Sequence, residues 1–556
     1  MRFRYAWLSV VAASFVTATC AQSHTGVSTS ASSGVLGQQS HVSDAACAQC
    51  HASIYKSYEQ TPMAHASGPA TENLRPADFV HRESNAHFRV YADNGHAWLS
   101  FDREGEPSIH GKRELLYYIG SGRRGLTYLF AEEGFVFESP INWYADKHVW
   151  DMAPAYQSAS EIPLNLSAVT SCLHCHVSGM RPPVGGTENR YEMPLLSHSG
   201  VSCERCHGTG TAHLKGGPIV NPAKLSPERR DAICMQCHLE GRVSVERPGR
   251  HIYEFKPGDS LADYIRYYVL ADSSSPALGA VSQVEALAQS TCKRKSGDSM
   301  SCTSCHDPHY SPPAQERVSY FRGKCLACHG PELGTKHHAE EKDCTVCHMP
   351  ASLSTDVVHT EVTDHRIPRR PVGSPPQSAT SNNLRLLPFP DSREAEDDIR
   401  DTALAWESLA DRGMEEARPH AENMLRRSAA RFPDDAETLS ALGYSEQRHG
   451  ATGAARDLYR RALVLDPNLI EAATNLGVIE AQSGELTNAI SLMQGPFERA
   501  PGRSNIGMNL ARVFCQAGKF DDSRAAVHRV LEFNPDLSEA KQALQYLKPT
   551  NPSCDF

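Results

Sequence analysis

Cysteine and histidine are the residues of this chain whose spacing most clearly indicates chemistry. Among 556 residues there are 18 cysteines and 27 histidines, and the pattern Cys-x-x-Cys-His occurs seven times. We number these motifs as sites 1 to 7 in chain order. Their cysteines are Cys47 and Cys50, Cys172 and Cys175, Cys203 and Cys206, Cys234 and Cys237, Cys302 and Cys305, Cys325 and Cys328, and Cys344 and Cys347. The histidines that end the motifs are His51, His176, His207, His238, His306, His329 and His348.

This motif has the donor atoms and the spacing that covalent haem attachment requires. Two thiols separated by two residues reach both vinyl groups of one haem from a single helical turn, and the next histidine then lies beneath the iron as proximal ligand. Zinc also binds paired cysteines, but a closed zinc site needs four ligands and gives no reason for a histidine after every second cysteine. A disulfide framework would not fix the histidine either. The sequence therefore predicts seven covalently attached c-type haems.

The first residues of the chain indicate export. Arg2 and Arg4 precede a short apolar core from Trp7 to Val16, which is typical of a signal peptide over residues 1–21. Lipidation at Cys20 and an uncleaved anchor remain alternatives, so membrane attachment is expected only through an N-terminal lipid or anchor. Residues 22–42 are rich in Ser, Gly, Gln and Thr and are expected to be a flexible tether. The expected location is periplasmic or otherwise extracytoplasmic.

The seven motifs lie within residues 43–370, which we expect to form an irregular multihaem cytochrome c domain. A long interval without motifs separates sites 1 and 2. Within it, apolar and polar residues alternate in His87–Tyr91 and Ala97–Phe101, and Asn94-Gly95 between them is typical of a hairpin turn. The sequence therefore predicts a small β-rich insertion at about residues 75–165.

The C-terminal part has a different composition and an internal period. Residues 371–395 are rich in Pro, Ser and Asn and are expected to be a linker. In residues 396–548, Leu-Gly pairs, single glycines and prolines recur every 34 residues, which is the period of tetratricopeptide helix pairs. The stretch that ends at Pro433 is predicted to be a degenerate first repeat, and residues 549–556 a tail. The predicted fold class is mainly α: the cytochrome domain with its insertion, followed by an α-solenoid of tetratricopeptide repeats.

The residues around the motifs resemble a known family. The segments GVSCERCHGTGTAHL (200–214), CTSCHDPH (302–309), CTVCHMP (344–350) and VVHTEVTDHRI (357–367) resemble bacterial multihaem c-type cytochromes with C-terminal tetratricopeptide repeats. The haem module is similar to the cytochrome c-554 type, an electron carrier of ammonia oxidisers. The resemblance implies covalent haem and the two-part architecture, and it does not imply a substrate.

The same resemblance provides candidates for the second axial ligand of the irons, on the far side of each haem. Twenty histidines lie outside the motif positions already given, so the chain has enough imidazoles for every site. The candidates are His65, His213, His309, His337, His338, His359 and His365. Met63 is an alternative to His65, since a thioether can also bind haem iron.

Three further cysteines follow the predicted signal peptide, outside the motifs. Cys515 is expected to pack as a small apolar side chain and Cys554 to be unpaired in the tail. Cys292 is expected to be a loop thiol, with a sulfur ligand or redox thiol as the alternative.

Taken together, these features predict an exported electron-transfer protein with mostly bis-histidine haems, a redox protein donor and acceptor, and a protein or peptide partner in the repeat groove. The alternative is a multihaem oxidoreductase in which one open haem acts on a small nitrogen or sulfur compound, with Arg123, Arg124, Tyr128 and Tyr144 as candidate proton donors. No Cys-x-x-Cys-Lys motif, the mark of several reductase branches, occurs in the chain. A net charge of −10 without a long basic run does not favour a nucleic-acid partner.

Overall fold

The computed structural model describes residues 42–154, 156–271, 278–333, 337, 342–369, 384–390, 398–550 and 552–556. The predicted signal peptide, almost all of the tether and most of the predicted linker lie outside these residues. Within the described residues, no helix has the length and apolar character to cross a membrane.

Most Cys-x-x-Cys-His motifs lie on or at the end of α-helices of the N-terminal part, and site 5 begins on a 3-10 turn, Cys302–Ser304. The helices are α1 (Asp44–Tyr58), α2 (Thr170–His174), α3 (Glu204–His207), α4 (Pro227–His238), α5 (Gln283–Gln289), α6 (Thr291–Ser296), α7 (Ala314–His329) and α8 (Cys344–His348). Sites 3, 4, 6 and 7 end a helix with their histidine. A helical turn brings the two thiols of a motif to one side and carries the histidine next to them.

A nine-stranded antiparallel sheet forms the β-rich region. Its strands are β1 (Ser67–Pro69), β2 (Ala77–His81), β3 (Ala86–Asp93), β4 (His96–Arg103), β5 (His110–Ile119), β6 (Gly125–Glu132), β7 (Phe135–Glu138), β8 (Ile141–Tyr144) and β9 (Val149–Met152). Asp93 pairs with His96 across the predicted Asn94-Gly95 turn, in which both central residues have positive φ. Alternate residues such as Phe88, Leu99 and Phe101 are buried on one face of the sheet.

Two smaller sheets complete the N-terminal part. Strands β10 (Val243–Glu246), β11 (Ile265–Ala271) and β14 (Arg385–Phe389) form one sheet, and β12 (Ala351–Leu353) pairs with β13 (Glu361–Thr363). Strand β14 lies inside the segment predicted as a linker, so that prediction was wrong for these five residues. Leu386 is buried against the first repeat helices, and this burial outweighs the linker-like composition around it.

Nine helices of the described residues form the C-terminal repeats. They are α9 (Ile399–Asp411), α10 (Arg418–Arg431), α11 (Ala436–Arg448), α12 (Thr452–Leu465), α13 (Ile470–Gln482), α14 (Leu486–Arg499), α15 (Ser504–Gln516), α16 (Phe520–Phe533) and α17 (Ser538–Tyr546). A Cβ at Gly443 would lie 2.8 Å from the Tyr459 ring, and one at Gly477 would lie 2.8 Å from Met493. The glycines of the Leu-Gly pairs therefore allow the two helices of a repeat to approach closely.

The last repeat carries a disulfide between Cys515 on α15 and Cys554 in the tail. Cys515 is buried in the core of the repeats, as predicted, but it is also disulfide-bonded, and the prediction of an unpaired Cys554 was wrong. Ser553 N–H donates to the Tyr546 carbonyl at 2.8 Å, and the Arg512 guanidinium donates to the Phe556 carbonyl at 2.9 Å. Helix α17 has no following partner helix in the described residues, and the tail covers part of this solenoid end.

The loops that join successive repeats lie against the β-rich region. The Asp536 carboxylate has no exposed surface; it accepts from the Arg103 guanidinium at 3.1 Å and from the Ile162 N–H at 2.8 Å. Phe533 packs its ring on those of Phe135 and Phe137, at centroid distances of 5.9 and 5.8 Å. The repeats and the N-terminal part therefore share a packed, hydrogen-bonded interface.

Candidate haem-binding cavity

A cavity of about 3360 Å³ extends through the N-terminal part and reaches the repeats. Cysteines and histidines of sites 2, 4, 5, 6 and 7 line it, together with residues of the β-rich region and of the repeat loops. A site for one drug-sized ligand has about 300–1,000 Å³. The cavity is therefore large enough for several bulky cofactors, and the attachment residues are already in its wall.

Four motif histidines each face a second histidine at nearly the same distance. The ring centroids of His51 and His213 are 6.4 Å apart, and those of His207 and His309 are 5.9 Å apart. The corresponding pairs at sites 5 and 7 are His306 with His365 at 6.3 Å and His348 with His337 at 6.0 Å. The four angles between ring planes lie between 12° and 32°.

This spacing fits two imidazoles that bind one metal ion from opposite sides. A metal–nitrogen bond of about 2 Å, plus about 1.2 Å from the nitrogen to the ring centre, doubles to about 6.4 Å. Aromatic rings that contact each other without an ion have centroid distances over a broad range of about 4.5–7 Å. The four centroid distances here lie within 0.5 Å of one another, which indicates a common geometry. The residues at sites 1, 3, 5 and 7 therefore fit bis-histidine haem iron.

Four of these histidines bind a carbonyl through Nδ1, which leaves Nε2 as the nitrogen that could bind a metal. Nδ1 of His207 lies 2.9 Å from the Val220 carbonyl, and Nδ1 of His348 lies 2.9 Å from the Pro368 carbonyl. Because a carbonyl oxygen only accepts, Nδ1 must carry the proton, which leaves the Nε2 lone pair available. The same pattern holds on the distal side, where His213 and His365 donate from Nδ1 to carbonyls at 3.1 and 2.9 Å.

Two other predicted distal ligands are placed differently. Nε2 of His65 lies 2.7 Å from the Glu59 carbonyl, and Nε2 of His359 lies 2.7 Å from an Asp151 carboxylate oxygen. Neither histidine pairs with a motif histidine in the described residues. Met63 lines the cavity. His338 lies outside the described residues.

At sites 2, 4 and 6, no second imidazole of the described residues lies 5.9–6.4 Å from the motif histidine.

Burial and the neighbouring His238 lower the pKa of His176 to about 4, so its imidazole is neutral, which is the form that binds iron. At site 4, His238 Nδ1 lies 3.4 Å from the Gln283 side-chain oxygen. The orienting partners Gln283, Val220 and Pro368 could not be found from the sequence, because backbone carbonyls and single amides have no motif.

Contacts between thiols of different motifs give the spatial order of the sites. The sulfur atoms of Cys47 and Cys203 lie within 4.8 Å of each other, which brings site 1 next to site 3. Site 4 has a thiol beside a thiol of site 3, of site 2 and of site 5. Site 5 is in turn beside site 6, and site 6 beside site 7. The order is therefore 1–3–4–5–6–7, with site 2 attached at site 4.

Comparison with protein families supports both parts of this description. Residues 142–208, which contain sites 2 and 3, match the family model "Cytochrome c554 and c-prime". Residues 480–547 match a model of the tetratricopeptide repeat. One segment of the chain is thus similar to cytochrome c554, which implies c-type haem, and the C-terminal part contains tetratricopeptide repeats. A comparison with curated proteins gives no match.

Among solved structures, the chain is similar to other tetratricopeptide proteins over its repeats. A structure of MamA from AMB-1 is 21% identical, with 27% of this chain and 84% of that chain covered and a TM-score of 0.24. YrrB, described as a tetratricopeptide protein with an unusual peptide-binding site, is 19% identical, with 26% and 74% covered and a TM-score of 0.23.

Proposed function

We propose that this protein is an exported seven-haem c-type cytochrome that carries electrons along its haem sites and binds a protein partner through its repeats. The observation that carries the proposal is the set of four histidine pairs at 5.9–6.4 Å, each formed by a motif histidine and a histidine outside the motifs. A structural or zinc-binding role gives no reason for this recurrence.

The residues of the chain would hold each haem by two thioethers and one or two imidazoles. When bound, each haem supplies a one-electron ferric–ferrous couple. The imidazoles at sites 1, 3, 5 and 7 come from both sides, so the chain itself fixes the coordination and favours a low-spin centre that exchanges electrons with little rearrangement. Thiols of successive sites lie near one another in the order given above, which supports transfer between sites.

Two further observations support the remaining parts of the proposal. The Cys515–Cys554 disulfide fits an oxidising compartment, in agreement with the predicted signal peptide. Tetratricopeptide repeats commonly bind protein segments, which supports a protein partner for residues 396–548. We propose that the redox donor and acceptor are proteins as well, since the haem sites extend to the surface at exposed Cys50 and Cys328.

A second candidate is a multihaem oxidoreductase with an open haem that binds a small nitrogen or sulfur compound. It is favoured by sites 2, 4 and 6, where the described residues place no second imidazole. Arg123 and Arg124 line the same cavity and could supply charge, whereas the buried Tyr144 hydroxyl donates to the Met152 carbonyl at 2.8 Å. Tyr128 is fully buried and donates to the Asn73 carbonyl at 3.0 Å, so it is not a proton donor for the cavity.

Electron paramagnetic resonance of the ferric protein, followed by carbon monoxide addition after reduction, separates the two functions. A pure electron carrier is expected to show low-spin signals at every site and no carbon monoxide binding. A high-spin signal with carbon monoxide bound to one site would favour the oxidoreductase. A purified exported protein without any haem spectrum would refute both.

A further inference from the structure

Helices α6 and α7 carry an unusual amount of exposed positive charge. Arg294 and Lys295 on α6 and Arg317 on α7 are exposed, and none has a carboxylate partner among the described residues. We call these three side chains the basic patch. The whole chain has a net charge of −10, so a concentration of cations is contrary to its overall composition.

The two helices that carry the patch are neighbours at site 5. Cys292 of α6 lies close enough to Cys305 and to Cys325 of α7 to influence the pKa of both thiols. Lys295 and Arg317 line the mouth of the haem cavity, where Arg322 and Lys324 of α7 also lie. The patch therefore borders the attachment residues of sites 5 and 6.

Helix α7 has an outer surface that nothing in the described structure covers. It is 16 residues long and none of its residues is buried. Cys328 at its end is exposed, and Val318 keeps 38% of its surface. Arg317 is exposed on this helix.

We propose that the basic patch docks an acidic electron-transfer protein, which exchanges electrons with the chain at sites 5 and 6. This inference rests on the proposed function and names its partner class and its docking surface. Positive side chains around an exposed cofactor raise the association rate of a negatively charged partner by long-range attraction. Helix α1 at site 1 has Lys56 as its one exposed Lys or Arg.

The competing role for these cations is to neutralise haem propionates. Lys295 and Arg317 line the cavity and could have this role. Arg294 is exposed and does not line the cavity, so neutralising propionates does not explain the whole patch. The variant that tests the proposal reverses all three charges: Arg294→Glu, Lys295→Glu and Arg317→Glu. The matched control reverses three exposed cations of the repeats, Arg427→Glu, Lys519→Glu and Lys548→Glu.

The assay follows haem reduction in the full-length holoprotein by stopped flow, with reduced plant-type [2Fe–2S] ferredoxin as the acidic probe and dithionite as a small reductant. At low ionic strength, we expect the patch variant to react with ferredoxin at least about tenfold more slowly than the wild type and the control. The difference should disappear at about 0.5 M salt, where screening is strong. The single variant Arg294→Glu, whose side chain does not line the cavity, should be slowed towards ferredoxin in the same direction and should keep the wild-type haem spectrum.

Three results would overturn the inference. Equal ferredoxin rates for the patch variant and the control at low salt would show that the patch does not dock the probe. Loss of haem or an altered spectrum in the patch variant would assign the cations to propionates. A wild-type protein that dithionite reduces but ferredoxin does not would exclude an acidic partner, whereas a chain with no reducible haem would refute the proposed function itself.

Discussion

Replacing His365 and His359 one at a time tests which of these two histidines binds haem iron. Both histidines lie in the segment VVHTEVTDHRI, and both are candidates for an iron ligand. In the structure, the ring of His365 lies 6.3 Å from that of His306, whereas Nε2 of His359 is hydrogen bonded to Asp151 at 2.7 Å. We therefore expect His365→Ala to open site 5 and His359→Ala to leave every site intact.

The size of the effect follows from the number of sites. Opening one haem in seven should convert about one-seventh of the low-spin ferric signal to high spin and add one carbon monoxide per chain after reduction. His359→Ala removes one partly exposed hydrogen bond and should lower the free energy of unfolding by about 0.5–1 kcal/mol, with unchanged spectra. Spin quantitation and carbon monoxide difference spectra measure both effects. A new high-spin haem in His359→Ala, or none in His365→Ala, would refute the assignment.

Three further predictions concern stability, measured by denaturant unfolding of the holoprotein. Asp536→Ala should cost about 3–5 kcal/mol, because it removes a fully buried carboxylate that binds the mostly buried Arg103 guanidinium and the Ile162 N–H, and a loss below 1 kcal/mol would contradict the described interface. Cys515→Ser or Cys554→Ser should cost about 4 kcal/mol, as expected for a closed loop of 39 residues, and reducing agent should have no further effect on either variant. Burial raises the pKa of Glu407 from 4.5 to about 8, so its proton is held more tightly in the folded state. Its contribution to stability is therefore greatest below pH 4.5 and is lost as the pH rises towards 8; a Glu407→Gln variant should lack this decline, and an identical pH profile would contradict the burial effect.

The repeats and the attachment residues could be predicted from the sequence because both depend on local patterns. A 34-residue period specifies helix pairs, and Gly450, Gly484 and Gly518 all have the positive φ that ends the first helix of a pair. The alternation around Asn94-Gly95 likewise specified a hairpin. In these cases each residue interacts mainly with neighbours close in the chain.

The features that the sequence could not supply depend on contacts between distant residues. His359 has a φ of +57°, and the backbone there turns its ring towards Asp151, which lies 208 residues away. The partner of Cys515 is 39 residues away in a tail whose composition suggested an exposed end. Strand β14 forms because β11 offers an edge and the first repeat helices bury Leu386. Spacing alone contains none of this information.

The most direct test of the central claim is the number of haems per chain. The protein should be expressed with its signal peptide in a host that matures c-type cytochromes, and intact mass spectrometry should be combined with a pyridine haemochrome assay. We expect seven covalent haems per chain, one for each Cys-x-x-Cys-His motif. A homogeneous, fully folded protein with fewer haems, or with zinc at any motif, would contradict it.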